Sequence, residues 1–464
     1  MSGLRDRGDP TRSAALPGNG QKVVVVGLAE SGVAAALALA RAGADVLVTE
    51  MRPLHQVAEQ ANRVEAAGAR VAAGGHLQSH VEGADLIVTS PGVPQGAAIL
   101  EWARERDIRV WSELELGARL ARSPYVVVTG TNGKTTTTEM IAAAMRSGGL
   151  DAIACGNVGY PFSVAAHENH QALCVEASSF QLRFQESLHP RVSVLLNLAP
   201  DHLDWHGTFE SYRDSKRRVF ESQTGDDVHV GNRDDEQAAA VSAKARCRRV
   251  WFTTSEPRDG EIGYVNGRLV GRLGREHDIG SMPWKTPWLL ANAAAAAAAA
   301  VSFGVDAEAV AEALRAFWLS PHRGEVVAEV SGVRFIDDSK ATNPHAALAS
   351  IRAHDRVVLI AGGLSKGVDL SPLASAAQRI EAVVAIGEAA KEVASVFSGL
   401  VRVRMAGSIE EAVAEAFEVA PAEGTVLLAP ACASQDMFTD YAERGERFAA
   451  AARGLRREGG ALGA

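Results

Sequence analysis

Short runs of β-branched and aliphatic residues alternate with Ala/Leu-rich stretches along most of the chain. Residues 22–26 form the first run. A turn follows at 27–32, then an apolar helix reaching Ala42, with Gly43 as its stop. Residues 44–49, 86–89 and 109–111 read as further strands of the same unit. Apolar strands separated by helices predict parallel strands covered on both faces. A second unit opens after Ser123 and Pro124, with strands at 125–129, 173–175 and 192–196, and runs through the alanine tract 293–300 to Leu319. A third follows Ser320 and Pro321, with strands at 333–336, 356–361, 382–386 and 425–429. The predicted class is α/β in three domains: 21–120, Rossmann-like; 121–319, of P-loop ATPase type; and 320–464, Rossmann-like. Residues 1–20 carry charge, Gly and Pro but no apolar segment, so they read as a flexible leader and not a secretory signal.

Composition narrows the function classes. The 464 residues hold 47 basic and 56 acidic side chains, a net charge of −9, so no overall basic field points to nucleic acid. No apolar run reaches the ~18 residues of a membrane span. The four cysteines, Cys155, Cys174, Cys247 and Cys432, form no CxxC pair and no disulfide framework, which fits a reducing cytoplasm.

The strongest candidate chemistry is Gly130, Thr131, Asn132, Gly133, Lys134, Thr135 and Thr136, a Gly-rich turn between a strand and a helix. Exposed N–H groups and the helix dipole there favour phosphate oxygens; Lys134 neutralises phosphate charge and the Thr135 hydroxyl is a Mg²⁺ ligand type. The strict P-loop pattern is broken by Val128 in its first glycine position. Glu176 ends a strand, where α/β sheets bind ligands, and reads either as a metal ligand or as the acid of a following helix start. Residues 201–206 (Asp, His, Leu, Asp, Trp, His) read either as a metal or phosphate site or as a solvated loop. The turn 27–32 imitates a dinucleotide fingerprint with Ala29 at the middle glycine, leaving a nucleotide diphosphate near Glu50 and Arg52, or a plain tight turn. Residues 337–344 concentrate donors and acceptors after a strand, and by spacing alone read as a polar loop. Cys432, flanked by alanines and lacking a nearby base, reads as inert.

Together these residues resemble the Mur ligases, ATP-dependent amide-bond formers of bacterial peptidoglycan synthesis. The match rests on the turn 130–136 with Ser90–Pro91–Gly92, residues 156–159, 178–181, 201–204, His322 and Arg323, 338–343 and 430–434. The stretch 338–343 is similar to the members that add D-glutamate to UDP-N-acetylmuramoyl-L-alanine. The resemblance implies ATP and Mg²⁺, with two ions expected. It implies catalytic roles for Lys134, Asn157, His202 and Lys216, the last carbamylated, and metal ligation by Thr135, Glu176, His202 and Lys216. Nucleotide contacts are implied for 130–136, Asn292, Arg323 and Asp338. Substrate contacts are implied for Ser31, Glu50, Arg52, Ser90, Asn157, Ser178, Gln181, Lys340, Thr342, Lys366, Ser434 and Tyr441. From spacing alone, Lys216 would be a surface lysine on a charged helix. The family's His-Asn-x-x-Asn keeps only its last asparagine, Asn292, and Tyr441 stands where the family usually has phenylalanine. A monomer is expected, with no nucleic acid and no membrane insertion. A different ATP-dependent ligase, such as a folylpolyglutamate synthase, and a non-catalytic nucleotide-binding module are the competing readings.

Overall fold

The computed structural model describes residues 16–157 and 159–455. Val158 and most of the expected leader therefore lie outside the described residues. Of the leader's described end, Pro17 is buried and Leu16 packs against the core of the first sheet.

That sheet has five parallel strands in the order β3-β2-β1-β4-β5, built from β1 (Lys22–Val26), β2 (Asp45–Glu50), β3 (Arg70–Ala73), β4 (Leu86–Thr89) and β5 (Arg109–Ser112). Its strands alternate between two cores. Val23 and Val25 face one with Leu39 and Val48; Val24 and Val26 face the other with Ile87 and Ile99. Both faces are covered, which is why the valines run unbroken. Each such side chain contributes roughly 1.5–3 kcal/mol by burial.

The second sheet comprises β6 (Tyr125–Thr129), β7 (Ala152–Gly156), β8 (Ala172–Glu176), β9 (Val192–Leu195), β10 (Val228–Asn232), β11 (Arg248–Phe252), β12 (Glu261–Val265), β13 (Arg268–Arg272) and β14 (Glu276–Ser281). Its order is β14-β13-β12-β11-β10-β9-β6-β8-β7. β12 runs parallel to β11, but β13 pairs antiparallel with both β12 and β14, through the short turns that join them. The alanine tract lies in the helix Pro287–Phe303, where all of Ala293–Ala300 is buried.

The third sheet joins β15 (Glu325–Val330), β16 (Val333–Asp337), β17 (Val357–Gly362), β18 (Ile380–Ile386), β19 (Arg402–Met405) and β20 (Thr425–Ala431) in the order β15-β16-β20-β17-β18-β19. Only its β15 edge is antiparallel.

The described residues form two compact units: those of 16–198, 210–285 and 289–317 make one, and those of 199–209, 286–288 and 318–455 the other. Within the first, the helix Glu113–Leu120 pins the first sheet to the segment 162–187. The Glu113 carboxylate accepts from Ser163 N at 2.6 Å, and Glu115 accepts from Glu186 N, Ser187 N and the Ser187 hydroxyl at 2.7–2.9 Å. Arg119 neutralises Glu115 at 2.6 Å while lying over the Trp111 ring at 4.0 Å. The Ser112 hydroxyl donates to Gln181 O at 2.8 Å. Gly117 admits the Phe162 ring so closely that a Cβ would stand 2.4 Å from it.

Candidate active site

β6 is central, flanked by β8 and β9, and delivers the chain into the turn 130–136 at its carboxyl end. Gly133 caps the helix Lys134–Ser147 with φ +85°. Only glycine holds that conformation cheaply, and a Cβ there would also stand 2.4 Å from Asn292 Oδ1. Asn197 sets the turn's shape: its backbone carbonyl accepts from Thr131 N at 3.0 Å and its side-chain oxygen from Asn132 N at 2.8 Å. Lys134 Nζ folds back onto the carbonyls of Gly130 and Thr131, at 3.1 and 2.9 Å.

Glu176 is the last residue of β8, one strand over, and is buried. It accepts from the Thr135 hydroxyl at 2.7 Å and from Asn157 Nδ2 at 3.2 Å. Lys216 is not the surface lysine that spacing alone suggests. It is 1% exposed, donates to Gly130 O at 2.7 Å and lies 4.8 Å from the centre of the Tyr212 ring, whose hydroxyl donates to Thr131 Oγ1 at 3.0 Å. The turn, Glu176, Asn157, Lys216 and Asn292 are thus brought together inside one unit.

The residues fit a nucleotide and a hard cation. Thr136 Oγ1 and Asn292 Nδ2 are buried without a protein partner. Unpaired buried polar atoms are costly unless something else satisfies them. Among the described residues no group of three His, Cys, Asp or Glu side chains could hold a metal alone. Thr135 Oγ1 and Glu176 offer hard oxygens of the kind Mg²⁺ takes, one or two from protein beside phosphates.

In the first sheet, the turn 27–32 packs against Ser90, whose buried hydroxyl also has no protein partner. A Cβ at Gly27 would come 2.9 Å from that oxygen, and one at Gly32 would come 2.0 Å from Gly27 O. Both glycines of the broken fingerprint are therefore required. Ser31 is half-buried beside them. Glu50 turns inward: its oxygens accept from Leu28 N at 2.7 Å and from Arg52 N, Nε and Nη2 at 2.9–3.1 Å. Burial works to raise its pKa, but the Arg52 and Leu28 bonds outweigh this and hold it at about 2. Glu50 is therefore a scaffold for the turn and for Arg52. Ser178 and Gln181 bond each other as a capping box, with Gln181 Nε2 buried and unpartnered.

In the other unit, a pocket is lined by Asp201, Thr342, Asn343, Ser365, Lys366 and Cys432, among others. Lys366 Nζ lies 3.3 Å from Asp201 Oδ1, and Asn343 Nδ2 donates to Asp201 Oδ2 at 3.0 Å. Asp201 thus lines this pocket, a residue that the sequence singled out only as part of a motif. His202, in the same loop, sits in the left-handed region at φ +53°. Asp338 is buried beside Arg323; burial pushes its carboxyl up to about 6, against Ser350 and the Arg323 charge. Lys340 Nζ stands 3.5 Å from the centre of the Tyr441 ring. Tyr441 O accepts from the Ser339 hydroxyl at 2.7 Å. Ser434 is buried at the mouth of the turn after β20, and Cys432 is inert, its thiol pushed up to about 12 by burial.

Sequence reasoning missed Arg444, whose side chain is fully buried. Its guanidinium donates to Ser339 Oγ and Ser339 O at 2.9 and 2.8 Å, and to the carbonyls of Cys432 and Ala433 at 3.3 and 3.2 Å. It joins the two loops that carry Lys340, Thr342 and Ser434. Its only sequence signal is an arginine inside an otherwise ordinary amphipathic helix.

A strand–turn–helix phosphate cradle with a carboxylate on the neighbouring strand defines a nucleotide-using α/β protein. The comparisons refine this. The chain matches the Mur ligase MurD-like N-terminal domain over residues 21–112, the Mur ligase middle domain over 128–300, and the Mur ligase glutamate ligase domain over 322–432. It is 42% identical to the UDP-N-acetylmuramoylalanine–D-glutamate ligase of Frankia casuarinae over 94% of both chains. It is 41% identical to the enzyme of that name from Streptomyces avermitilis, over 94% of this chain and 98% of that one. Among solved structures it resembles MurF from Acinetobacter baumannii, with TM-score 0.60 and 16% identity over 88% of this chain and 91% of that one. It also resembles the UDP-N-acetylmuramate–alanine ligase MurC of Thermotoga maritima, with TM-score 0.57 and 19% identity over 92% and 98%. This chain belongs to the Mur ligase family.

Proposed function

We propose that the protein joins the amine of D-glutamate to the carboxylate of UDP-N-acetylmuramoyl-L-alanine, consuming ATP, in peptidoglycan precursor synthesis. The observation that carries this is the phosphate turn held against Glu176 through Thr135, in a chain about 40% identical to ligases of that name. A carboxylate acylates poorly because its leaving group would be oxide. Transfer of the ATP γ-phosphoryl to it gives an acyl phosphate and ADP. The neutral amine then adds to the acyl carbon, and the tetrahedral intermediate expels phosphate. Lys134 stabilises charge on the transferring phosphoryl group. Bound Mg²⁺ would neutralise charge on the phosphate oxygens; Thr135, Glu176 and His202 are its proposed ligands, with Lys216 joining them once carbamylated. The burial of Lys216 against the turn, with its Nζ 2.7 Å from Gly130 O, supports that role.

Asn292, Arg323 and Asp338 are assigned to the nucleotide. Ser31, Arg52, Ser90, Asn157, Ser178 and Gln181 are assigned to the UDP-sugar, with Glu50 as scaffold. Lys340, Lys366, Thr342, Ser434 and Tyr441 are assigned to D-glutamate. The domains of this reading are 21–120 for the UDP-sugar, 121–319 for ATP and 320–464 for the amino acid. No helix among the described residues is long and apolar enough to cross a membrane, and a monomer working in the cytoplasm is the proposed form. The test is ADP release from ATP, Mg²⁺ and UDP-N-acetylmuramoyl-L-alanine with D-glutamate, L-glutamate or L-lysine offered in turn. D-glutamate alone should support turnover; comparable kcat/KM for the two enantiomers of glutamate would overturn the assignment.

A further inference from the structure

The carboxyl ends of β2 and β3 carry a cluster that none of the roles above uses. Thr49 Oγ1 lies 2.9 Å from His76 Nδ1 and 2.9 Å from His80 Nδ1. A hydroxyl has one proton to give, so it donates to one ring and accepts from the other. His80 Nδ1 already accepts from Leu77 N at 3.3 Å, which fixes it as the acceptor. Thr49 therefore donates to His80, and His76 Nδ1–H donates to Thr49. His76 is held in the Nδ1–H tautomer and carries its lone pair on Nε2.

The turn bearing His76 is tied to the end of β2, with Gly75 N donating to Glu50 O and Gly74 N to Arg52 O, both at 3.0 Å. At this strand end an acidic side chain often receives a nucleoside's donors. Here Glu50 is consumed by Leu28 and Arg52. The adjacent His76 keeps an acceptor to offer. The same two turns expose Met51, Leu54 and Leu77 at 62%, 56% and 60%, an apolar rim suited to a flat ring. Burial lowers the His76 pKa, His80 acts in the same direction, and Glu50 opposes them. Burial, and after it the Lys22 charge, lowers that of His80, and Arg52 is the remaining charge on the turn.

We propose that His76 Nε2 accepts the imide N3–H of the uracil base, with Thr49 and His80 as positioning residues that fix its tautomer. The inference rests on the UDP-sugar reading of the first sheet. It gives the site a chemical filter: cytosine and adenine present a lone pair where uracil presents N3–H, so either would set lone pair against lone pair.

Two measurements test it on the full-length protein. Long-range ¹H–¹⁵N spectra of histidine-labelled protein, assigned with His76→Gln, should show His76 protonated on Nδ1 and bare on Nε2; the opposite tautomer overturns the proposal. The second is the Kd of UDP-N-acetylmuramoyl-L-alanine and of its N3-methyluracil analogue. The wild type should bind the methylated analogue at least tenfold more weakly. His76→Ala should weaken the natural substrate about tenfold, the worth of one hydrogen bond, and bind both alike. His76→Gln, which keeps an acceptor, should restore most of the discrimination. Thr49→Val should cost severalfold in the wild type and nothing in the His76→Ala background. If the wild type binds neither compound, the functional reading fails. If it binds the natural one and His76→Ala keeps both affinity and discrimination, the His76 assignment alone fails.

Discussion

Replacing Arg444 with methionine removes a guanidinium that makes four hydrogen bonds in a fully buried position. Burial pulls its pKa down to about 10, so it remains charged at neutral pH. The cost of the change is set by what is left behind. Ala433 O keeps a second donor, Leu364 N at 3.0 Å. Ser339 O and Cys432 O lose theirs, at about 1–3 kcal/mol for each stranded acceptor. Methionine fills much of the volume and relieves the desolvation of a charge, which offsets part of this. A net loss of about 3 kcal/mol is expected, which in a domain of this size lowers the melting temperature by roughly 6–12 °C. The loops released carry Lys340, Thr342 and Ser434, so KM for D-glutamate should rise at least tenfold while the KM for UDP-N-acetylmuramoyl-L-alanine changes little. Arg444→Lys should recover part of the stability and little of the KM, because one ammonium cannot span three carbonyls. Thermal melts with KM for each substrate in turn make the assay. An Arg444→Met protein with unchanged melting and unchanged D-glutamate KM would refute the account.

Lys134→Ala should abolish turnover while leaving the fold intact by circular dichroism, because the lysine is assigned to the transferring phosphoryl group; a wild-type kcat would end the phosphate assignment. Lys216→Ala should cost far more activity than Arg217→Ala, a half-exposed neighbour, and the wild type should gain activity and about 44 Da of labile mass with bicarbonate; an enzyme fully active without that mass would remove the carbamate. His229 is fully buried between Ser193 and Ser242, and burial drops its pKa from 6.5 to about 3. Its contribution to stability is therefore complete above pH 6.5 and is lost as the pH falls toward 3, by about 1.4 kcal/mol per unit, and His229→Gln should flatten that slope in denaturant titrations. Lys366→Ala should raise KM for D-glutamate steeply and that for ATP little, and equal shifts in both would separate Lys366 from the amino acid.

The strands at 22–26, 86–89 and 125–129 were legible to the residue because buried parallel strands are unbroken apolar runs bounded by turns. The strands β13 to β15 were not. Arg268–Arg272, and the edge strand Glu276–Ser281 beside it, mix charge, glycine and apolar positions, and such a run looks like loop until a partner is seen beside it. The strand–turn–helix at 125–147 was readable because its residues are contiguous. Asn197, Arg444 and His76 were not, since each acts through a contact made only after folding. Lys216 shows the same limit from the other side: its neighbours Arg213, Asp214 and Arg217 mark a solvated helix, yet the helix buries one face and the lysine lies on it.

The carboxylates of the helix Glu113–Leu120 also decide how this chain can be dissected. Cut near residue 120, the first sheet would surrender the backbone donors that Glu113 accepts from Ser163 and Glu115 from Glu186 and Ser187. It would bare the face that Phe162 and Phe184 cover. Residues 21–120 on their own should express as an aggregation-prone fragment, whereas extending the cut to include the segment up to Leu188 supplies every one of those partners. Sequence alignment would draw the border at the end of the sheet; the hydrogen bonds draw it some seventy residues later, roughly where the last donor to Glu115 has been passed.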